Sequence, residues 1–305
     1  MRTAQLGSTG MDITRIGFGA WAIGGGDWEF GWGDQEDEES VAAIHRALEL
    51  GVNWIDTAAA YGFGHSEEVV GRALRETSER PWVFTKCSLL EGPDRTVVHS
   101  LERDSVIREA EASLERLGVD AIDLYQIHWP DPDPDIEEGW AALAVLRDRG
   151  MVRHIGVSNF DVEQLRRVQQ IAPVETLQPP YSLVEREAED ELLPFAEREG
   201  IGVIVYSPMG SGLLTGRMTR ERIENMPDND WRKSDPSFQE PELSRHLELV
   251  DRLSAVAESH DTTPGAVAVA WTLENPAVDG AIVGFRRPDQ VDPILAGADL
   301  ELEAL

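Results

Sequence analysis

Apolar positions along this chain fall into two alternating patterns. Short apolar runs, dense in Val, Ile, Trp and Phe, read as strands buried on both faces. Between them lie longer stretches with apolar residues three and four apart, acids at the start and glycine at the end, the marks of amphipathic helices. "ITRIGFGAWAI" predicts a strand running into a glycine-rich loop, with a short β-hairpin at the N-terminus before it. The helix "DEESVAAIHRALELG", the strand "VNWIDTA", the helix "SEEVVGRALRE" and the strand "WVFTKC" follow. The helix "SVIREAEASLERLG", the strand "AIDLYQIHW", the helix "DIEEGWAALAVLRDRG" and the strand "VRHIGVSNF" continue the alternation. It then runs through "DVEQLRRVQQIA", "VETLQPP", "ELLPFAEREG", "IGVIVYSPM", "LELVDRLSAVAESH" and "TTPGAVAVAWTLEN" to the final strand "GAIVGF".

Eight strand–helix units with no linker between them predict an α/β protein with one (β/α)8 barrel domain over residues 1–305. A doubly wound open sheet is the competing reading. It wants a G-x-G-x-x-G turn after the first strand, and "GFGAWAIGGG" lacks that spacing. Residues 215–243, after the seventh strand, are polar, carry prolines and are long for a connection, so they predict a lid or binding loop.

Composition narrows the class. With 41% hydrophobic residues in 305, a large core is affordable, and the chain has no charge-free apolar run near a membrane span and no Arg-rich leader. These features lead us to expect a cytoplasmic protein without a membrane partner. Cys87 is the single cysteine, which excludes an internal disulfide and a cysteine metal cluster. The formal net charge of -30 repels nucleic acid and anionic membrane. That surface has two readings, solubility in a crowded cytosol or adaptation to high salt. Lysine is nearly absent. Only Lys86 and Lys233 occur among 27 basic residues, and Lys86 closes an apolar strand.

In such a barrel chemistry gathers at the C-terminal strand ends. The second strand ends at Asp56 with Tyr61 just beyond, the third at Lys86, and the fourth at His128, followed by Trp129. Each has a plain structural alternative: a turn cap, a packed ring, an exposed strand end, a satisfied core histidine. Together they form a set able to give a proton to a carbonyl oxygen as charge develops there. An ammonium beside Tyr61 is expected to draw its pKa down, with Asp56 balancing the lysine and His128 orienting the carbonyl. The set contains no nucleophile triad and no metal-ligand spacing. A carbonyl also needs a hydride, which no side chain supplies and a nicotinamide does.

The second half offers places for one. Ser158 and Asn159 end the fifth strand, Gln178 the sixth, and Tyr206 the seventh with a ring able to stack. "YSPMGSGLLTG" is a small-residue loop suited to a diphosphate, and Arg286 and Arg287 in "GFRRPDQ" suit a 2'-phosphate.

Taken in order, "GFGAW", "NWIDTAAAYGFGHSEEVVGRAL", "VFTK", "DLYQIHWPD", "GMVRHIGVSNF", "YSLVERE" and "YSPMGSGLLTG" resemble signatures of the aldo-keto reductase family over essentially the whole chain. The form of "GFRRPDQVD" is similar to the bacterial, NADP(H)-preferring branch acting on sugars, polyols and general aldehydes. The resemblance implies a catalytic tetrad of Asp56, Tyr61, Lys86 and His128, with Tyr61 the acid in reduction and the base in oxidation. It implies nicotinamide contacts from Ser158, Asn159, Gln178 and Tyr206, and pyrophosphate contacts from Ser207, Met209, Gly210, Ser211 and Leu213. Gly284, Arg286, Arg287 and Gln290 match the segment that holds the adenosine phosphate, giving NADP(H) as the preferred cofactor and NAD(H) as a second. Trp21 and Trp129 match pocket-lining aromatics, with Trp28 and Trp32 as further candidates for an aromatic wall.

Two positions depart from the pattern. Many members carry an acid and an asparagine for adenine where this chain has Pro293 and Ile294, and the chain stops at "ADLELEAL" where relatives add a helix or tail. An open, permissive pocket is the expectation. The function expected is reversible reduction of an aldehyde or ketone, with two alternatives. One is the same scaffold run as an NAD(P)-dependent sugar or polyol dehydrogenase. The other is a cofactor-binding regulatory subunit without turnover. A small-molecule substrate and a monomer are expected.

Overall fold

The computed structural model describes residues 1–302. The predicted domain's last three residues lie outside the described ones. Twelve strands are present among the described residues: β1 (Thr3–Gln5), β2 (Asp12–Thr14), β3 (Ile16–Gly19), β4 (Trp54–Asp56), β5 (Trp82–Cys87), β6 (Leu89–Glu91), β7 (Val97–His99), β8 (Ile122–Ile127), β9 (Val152–Ser158), β10 (Thr176–Gln178), β11 (Gly202–Val205) and β12 (Gly280–Gly284). Eight of them, β3, β4, β5, β8, β9, β10, β11 and β12, pair in parallel and close into a barrel, with β12 returning to β3. The helices between them are α1 (Asp37–Glu49), α2 (His65–Arg75), α3 (Arg103–Leu117), α4 (Ile136–Asp148), α5 (Val162–Val168), α6 (Leu192–Glu199), α7 (Arg220–Glu224), α8 (Glu242–Ser259), α9 (Pro264–Leu273) and α10 (Val291–Leu295).

Local signals in the sequence act where they were read. Three acids, Asp37, Glu38 and Glu39, open α1 against the positive end of its dipole. Gly118 ends α3 in the left-handed conformation, its N–H returning to the Leu114 carbonyl. The Thr263 hydroxyl caps α9 at the Ala266 N–H, with Pro264 in the first turn.

The hairpin β1–β2 plugs the N-terminal end of the barrel. Leu6, Met11 and Ile13 pack there on Trp54, Phe84, Leu124, Ile204 and Ile282 from inside the strands. The Trp54 ring fills the bore so tightly that a Cβ on Gly17 would come within 2.1 Å of it, which leaves glycine as the residue that fits. With one end sealed, the open end is the one where Asp56, Lys86 and His128 emerge.

Two features of the open end go beyond the pattern, a second hairpin and the anchoring of the predicted lid loop. Residues 89–99 form a second hairpin, β6–β7, between the third barrel strand and α3. Residues 215–243 contain α7 and two short 3-10 turns, and they are pinned to the first βα loop. Trp32 and Asp230 make an antiparallel bridge, the Trp231 N–H donates to the Gly31 carbonyl at 3.0 Å, and Asn229 donates to Asp34 at 3.1 Å. The two loops form one wall across the mouth.

Candidate active site

A cavity of about 940 Å³ opens at the C-terminal end of the barrel. Its floor is a buried charge pair. β4 ends on Asp56 and β5 carries Lys86, and the two side chains meet at 2.5 Å with 2% and 1% of each residue exposed. Lys86 Nζ also donates to the Thr57 carbonyl at 2.9 Å and to Tyr61 Oη at 3.3 Å. Asp56 accepts further from Gln178 at 3.0 Å and from Gln126 at 3.4 Å, so its oxygens are satisfied without water. An ion pair this deep holds its place because each charge is both paired and hydrogen-bonded.

Tyr61 lies on the short turn between β4 and α2, 8% exposed, its ring 5.1 Å from Lys86 Nζ and edge-on to His128 at 5.6 Å between centroids. The structure brings all four residues of the expected tetrad to one point. It corrects one expectation. The Tyr61 phenol is pushed well up, first by burial and then by Asp56, rather than drawn down by Lys86. The lysine's charge is largely spent on Asp56, so the phenol sees a neutralised pair in an apolar pocket. Burial lowers Lys86, outweighing the attraction to Asp56 that raises it. His128 is held well below the ordinary imidazole value by burial, then by the charges of Lys86 and His99. Near neutral pH the site therefore presents a protonated phenol beside a neutral imidazole, the forms that donate to a carbonyl oxygen and orient it. His128 Nδ1 has no hydrogen-bond partner among the described residues.

The opposite wall is polar and then basic. Ser158 Oγ donates to the Gln178 carbonyl at 2.8 Å, and Asn159, in the left-handed region at φ 64°, donates to the His128 carbonyl at 2.9 Å. Tyr206 donates to Asn159 Oδ1 at 2.8 Å, which fixes its ring against the cavity. Gln178 spends its amide N–H groups on Asp56 and Gln126. The loop after β11 turns through left-handed positions at Ser207, Gly210, Ser211 and Gly212, and Ser207, Met209, Gly210, Ser211 and Leu213 all line the cavity with Gly284 and Gln290.

The two arginines singled out from the sequence are placed differently. Arg286 lines the cavity, yet its guanidinium donates to the Trp32 carbonyl at 2.9 Å, the Asp34 carbonyl at 2.5 Å and Gln35 Oε1 at 2.7 Å. It builds the wall between the last strand and the first loop. Arg287 is half-exposed and paired with Asp289 at 3.1 Å, and Gln290 Oε1 accepts from both backbone N–H groups of this turn. Arg217 and Arg222, on the long loop, also face the cavity, and neither forms a carboxylate pair among the described residues. Arg222 is depressed by burial and then by Arg232, Arg217 and Arg287, the signature of guanidinia crowded together with too little negative charge between them. Arg232 and Arg287 differ from the other two, since Asp230 holds Arg232 at 2.6 Å and Asp289 holds Arg287. Sequence reasoning read residues 215–243 as a lid or binding loop and placed none of their arginines. The only signal was their concentration in a chain of net charge -30.

Aromatic rings form the remaining wall. Trp21 stacks on Trp231 at 5.2 Å and 14°, meets Trp32 edge-on, and lies 6.2 Å from Tyr61. Trp28 is also in this wall, and Trp129 stands at the mouth with 42% of its surface exposed. Trp231 comes from the long loop and was not among the sequence candidates. Pro293 and Ile294 line the cavity at its far end, where the expected acid and asparagine are missing. Among the described residues no group of three metal-ligating side chains occurs, and no helix is long and apolar enough to cross a membrane.

The donor set fits a dinucleotide. A flat ring and amide groups stand beside the tetrad, a loop of small residues follows, and unpaired guanidinia lie farther along the same cavity. Comparison with known proteins agrees with this layout. Residues 15–304 match the model of the aldo/keto reductase family. The chain is 40% identical over 297 residues to aldo-keto reductase YhdN of Bacillus subtilis, covering 96% of this chain and 88% of the relative. It is 34% identical to the NADH-specific methylglyoxal reductase of Escherichia coli, covering 99% and 95%. The structure of the glycerol dehydrogenase AKR11B4 from Gluconobacter oxydans superposes with a TM-score of 0.88 at 39% identity, covering 99% of this chain and 91% of that one. The chain belongs to the aldo-keto reductase family.

Proposed function

We propose that this chain is an NADP(H)-dependent oxidoreductase that reversibly reduces an aldehyde or ketone to an alcohol and also accepts NAD(H). The observation that carries the reading is the Tyr61 hydroxyl, held 3.3 Å from a buried Lys86 that is itself locked to Asp56, on the floor of a large aromatic cavity. When bound, the nicotinamide supplies the hydride. The chain supplies the proton and the place. Tyr61 gives its proton to the carbonyl oxygen as negative charge develops there, and Lys86 stabilises the phenolate left behind. That stabilisation is needed because burial resists the phenolate. His128, neutral, orients the same oxygen. In the alcohol-oxidising direction Tyr61 takes the proton back, so one arrangement serves both directions.

Ser158, Asn159 and the free Oε1 of Gln178 suit the carboxamide, Tyr206 suits the nicotinamide face, and the Ser207–Leu213 loop suits the diphosphate. Arg217 and Arg222, with Arg287 beside them, suit phosphate oxygens and favour NADP(H) over NAD(H). The wall of Trp21, Trp28, Trp32 and Trp231 fits small carbonyl compounds and polyols, in line with the methylglyoxal reductase and the glycerol dehydrogenase among the relatives. The reading of the chain as a regulatory subunit is disfavoured by the complete tetrad. The cytoplasm is the compartment that fits such chemistry, and a monomer remains the expected state.

Titration of the purified protein with NADPH and with NADH, followed by tryptophan fluorescence, tests the reading. NADPH binds more tightly, quenches the aromatic wall, and is oxidised on addition of methylglyoxal or glyceraldehyde. Binding without oxidation of either cofactor by any aldehyde supports the regulatory reading instead.

A further inference from the structure

Beside the tetrad the cavity contains a second imidazole that proton transfer does not use. His99 closes β7, pairs in register with Leu89, and lines the cavity with Leu89, Val97, His128 and Trp129. Its hairpin leaves the barrel immediately after Lys86 and Cys87. Its Nδ1 lies 3.2 Å from Asp131 Oδ2, in the turn three residues beyond His128. His99 is thus tied to the ends of β5 and β8, the strands that deliver Lys86 and His128.

The contact with Asp131 is out of line for a good hydrogen bond and acts as an electrostatic one. In the neutral ring a carboxylate at that distance favours the tautomer with its proton on Nδ1, which leaves Nε2 as an acceptor. No bond within the described residues engages Nε2. With 33% of the side chain exposed, the ring is reachable from the cavity. Around it the wall is apolar, built from Trp28, Phe30, Leu89, Val97 and Trp129. A deoxygenated carbon chain would fill that region and leave the imidazole facing it unpaired. A chain bearing a hydroxyl would pair with it.

We propose that His99 is a specificity-determining residue whose Nε2 accepts a hydrogen bond from a hydroxyl carried beyond the reacting carbonyl. The site then selects hydroxy-carbonyl compounds, and in reverse the polyols made from them, over their deoxy analogues. This rests on the reductase reading above.

Glyceraldehyde and propanal share a carbon chain and differ in the hydroxyls, so their ratio of kcat/KM is the readout. His99→Phe keeps a ring in the hairpin and removes the acceptor. It lowers kcat/KM for glyceraldehyde about tenfold, mostly through KM, and leaves propanal within about twofold. His99→Gln, which retains an acceptor, recovers part of the preference. Equal losses for both aldehydes in His99→Phe, or no change in their ratio, overturn the proposal while leaving the reductase reading intact. Failure of the wild-type protein to reduce either aldehyde with NADPH or NADH overturns the reductase reading, and this inference with it.

Discussion

The floor and the far wall of this cavity are built on different terms. The floor is made of strand ends. Asp56 and Lys86 are placed by β4 and β5, buried to within 2% of full cover, and locked by bonds to Thr57, Gln126 and Gln178. The far wall is made of loops. Arg217, Arg222 and Trp231 come from one long connection that holds its shape by pinning itself to Trp32, Gly31 and Asp34. A reacting atom needs its partners fixed to fractions of an ångström, which strands provide. A large ligand must enter before it is gripped, which loops allow.

The largest effect is expected at the floor. Lys86→Met leaves the Asp56 carboxylate buried without its ammonium, which costs about 3 kcal/mol or more in urea unfolding and abolishes turnover. A variant of wild-type stability would mean that the pair is dispensable to the fold.

The support behind the floor titrates. Glu109 on α3 accepts from the Ser88 N–H at 3.0 Å and from Ser105 Oγ at 3.3 Å, and burial raises its carboxyl to about 7. Its folded-state pKa lies above the unfolded value, so its contribution is fully present below about 4.5 and falls away as pH rises to about 7, by up to about 3 kcal/mol. Against Glu109→Gln, the wild-type protein should lose stability across that window. Parallel curves for the two proteins would contradict the assignment.

At the far wall the effects are smaller and specific to the ligand. Replacing Arg217 and Arg222 by alanine raises the Kd for NADPH about tenfold more than for NADH, since the groups are exposed and screened. Arg286→Ala weakens both cofactors alike, because that side chain holds a wall rather than a phosphate. Reversal of these two patterns would return the phosphate to Arg286.

The same division explains what the sequence disclosed. All four tetrad residues were readable because a strand's end is marked by where its apolar run stops, and barrel order makes successive ends neighbours. Trp231 and the free arginines of the long loop were not, since no periodicity fixes which way a loop residue faces. Which way Arg286 faces was unreadable for the same reason. Its position after the eighth strand was right, but three carbonyl and amide oxygens of the first loop claim it. The β6–β7 hairpin went unread because its strands have three residues each, too few for an alternation to register. The direction of the Tyr61 shift also lay beyond sequence, because it depends on Asp56 cancelling Lys86 at 2.5 Å.

The central claim is that Tyr61 is the proton donor of an otherwise intact cofactor-binding site. Tyr61→Phe tests it in one preparation, with NADPH binding read by tryptophan fluorescence and aldehyde reduction read by NADPH oxidation. The account predicts an unchanged Kd and a rate at least about a hundredfold lower. An unchanged rate, or a loss of rate fully matched by a loss of NADPH binding, would contradict it.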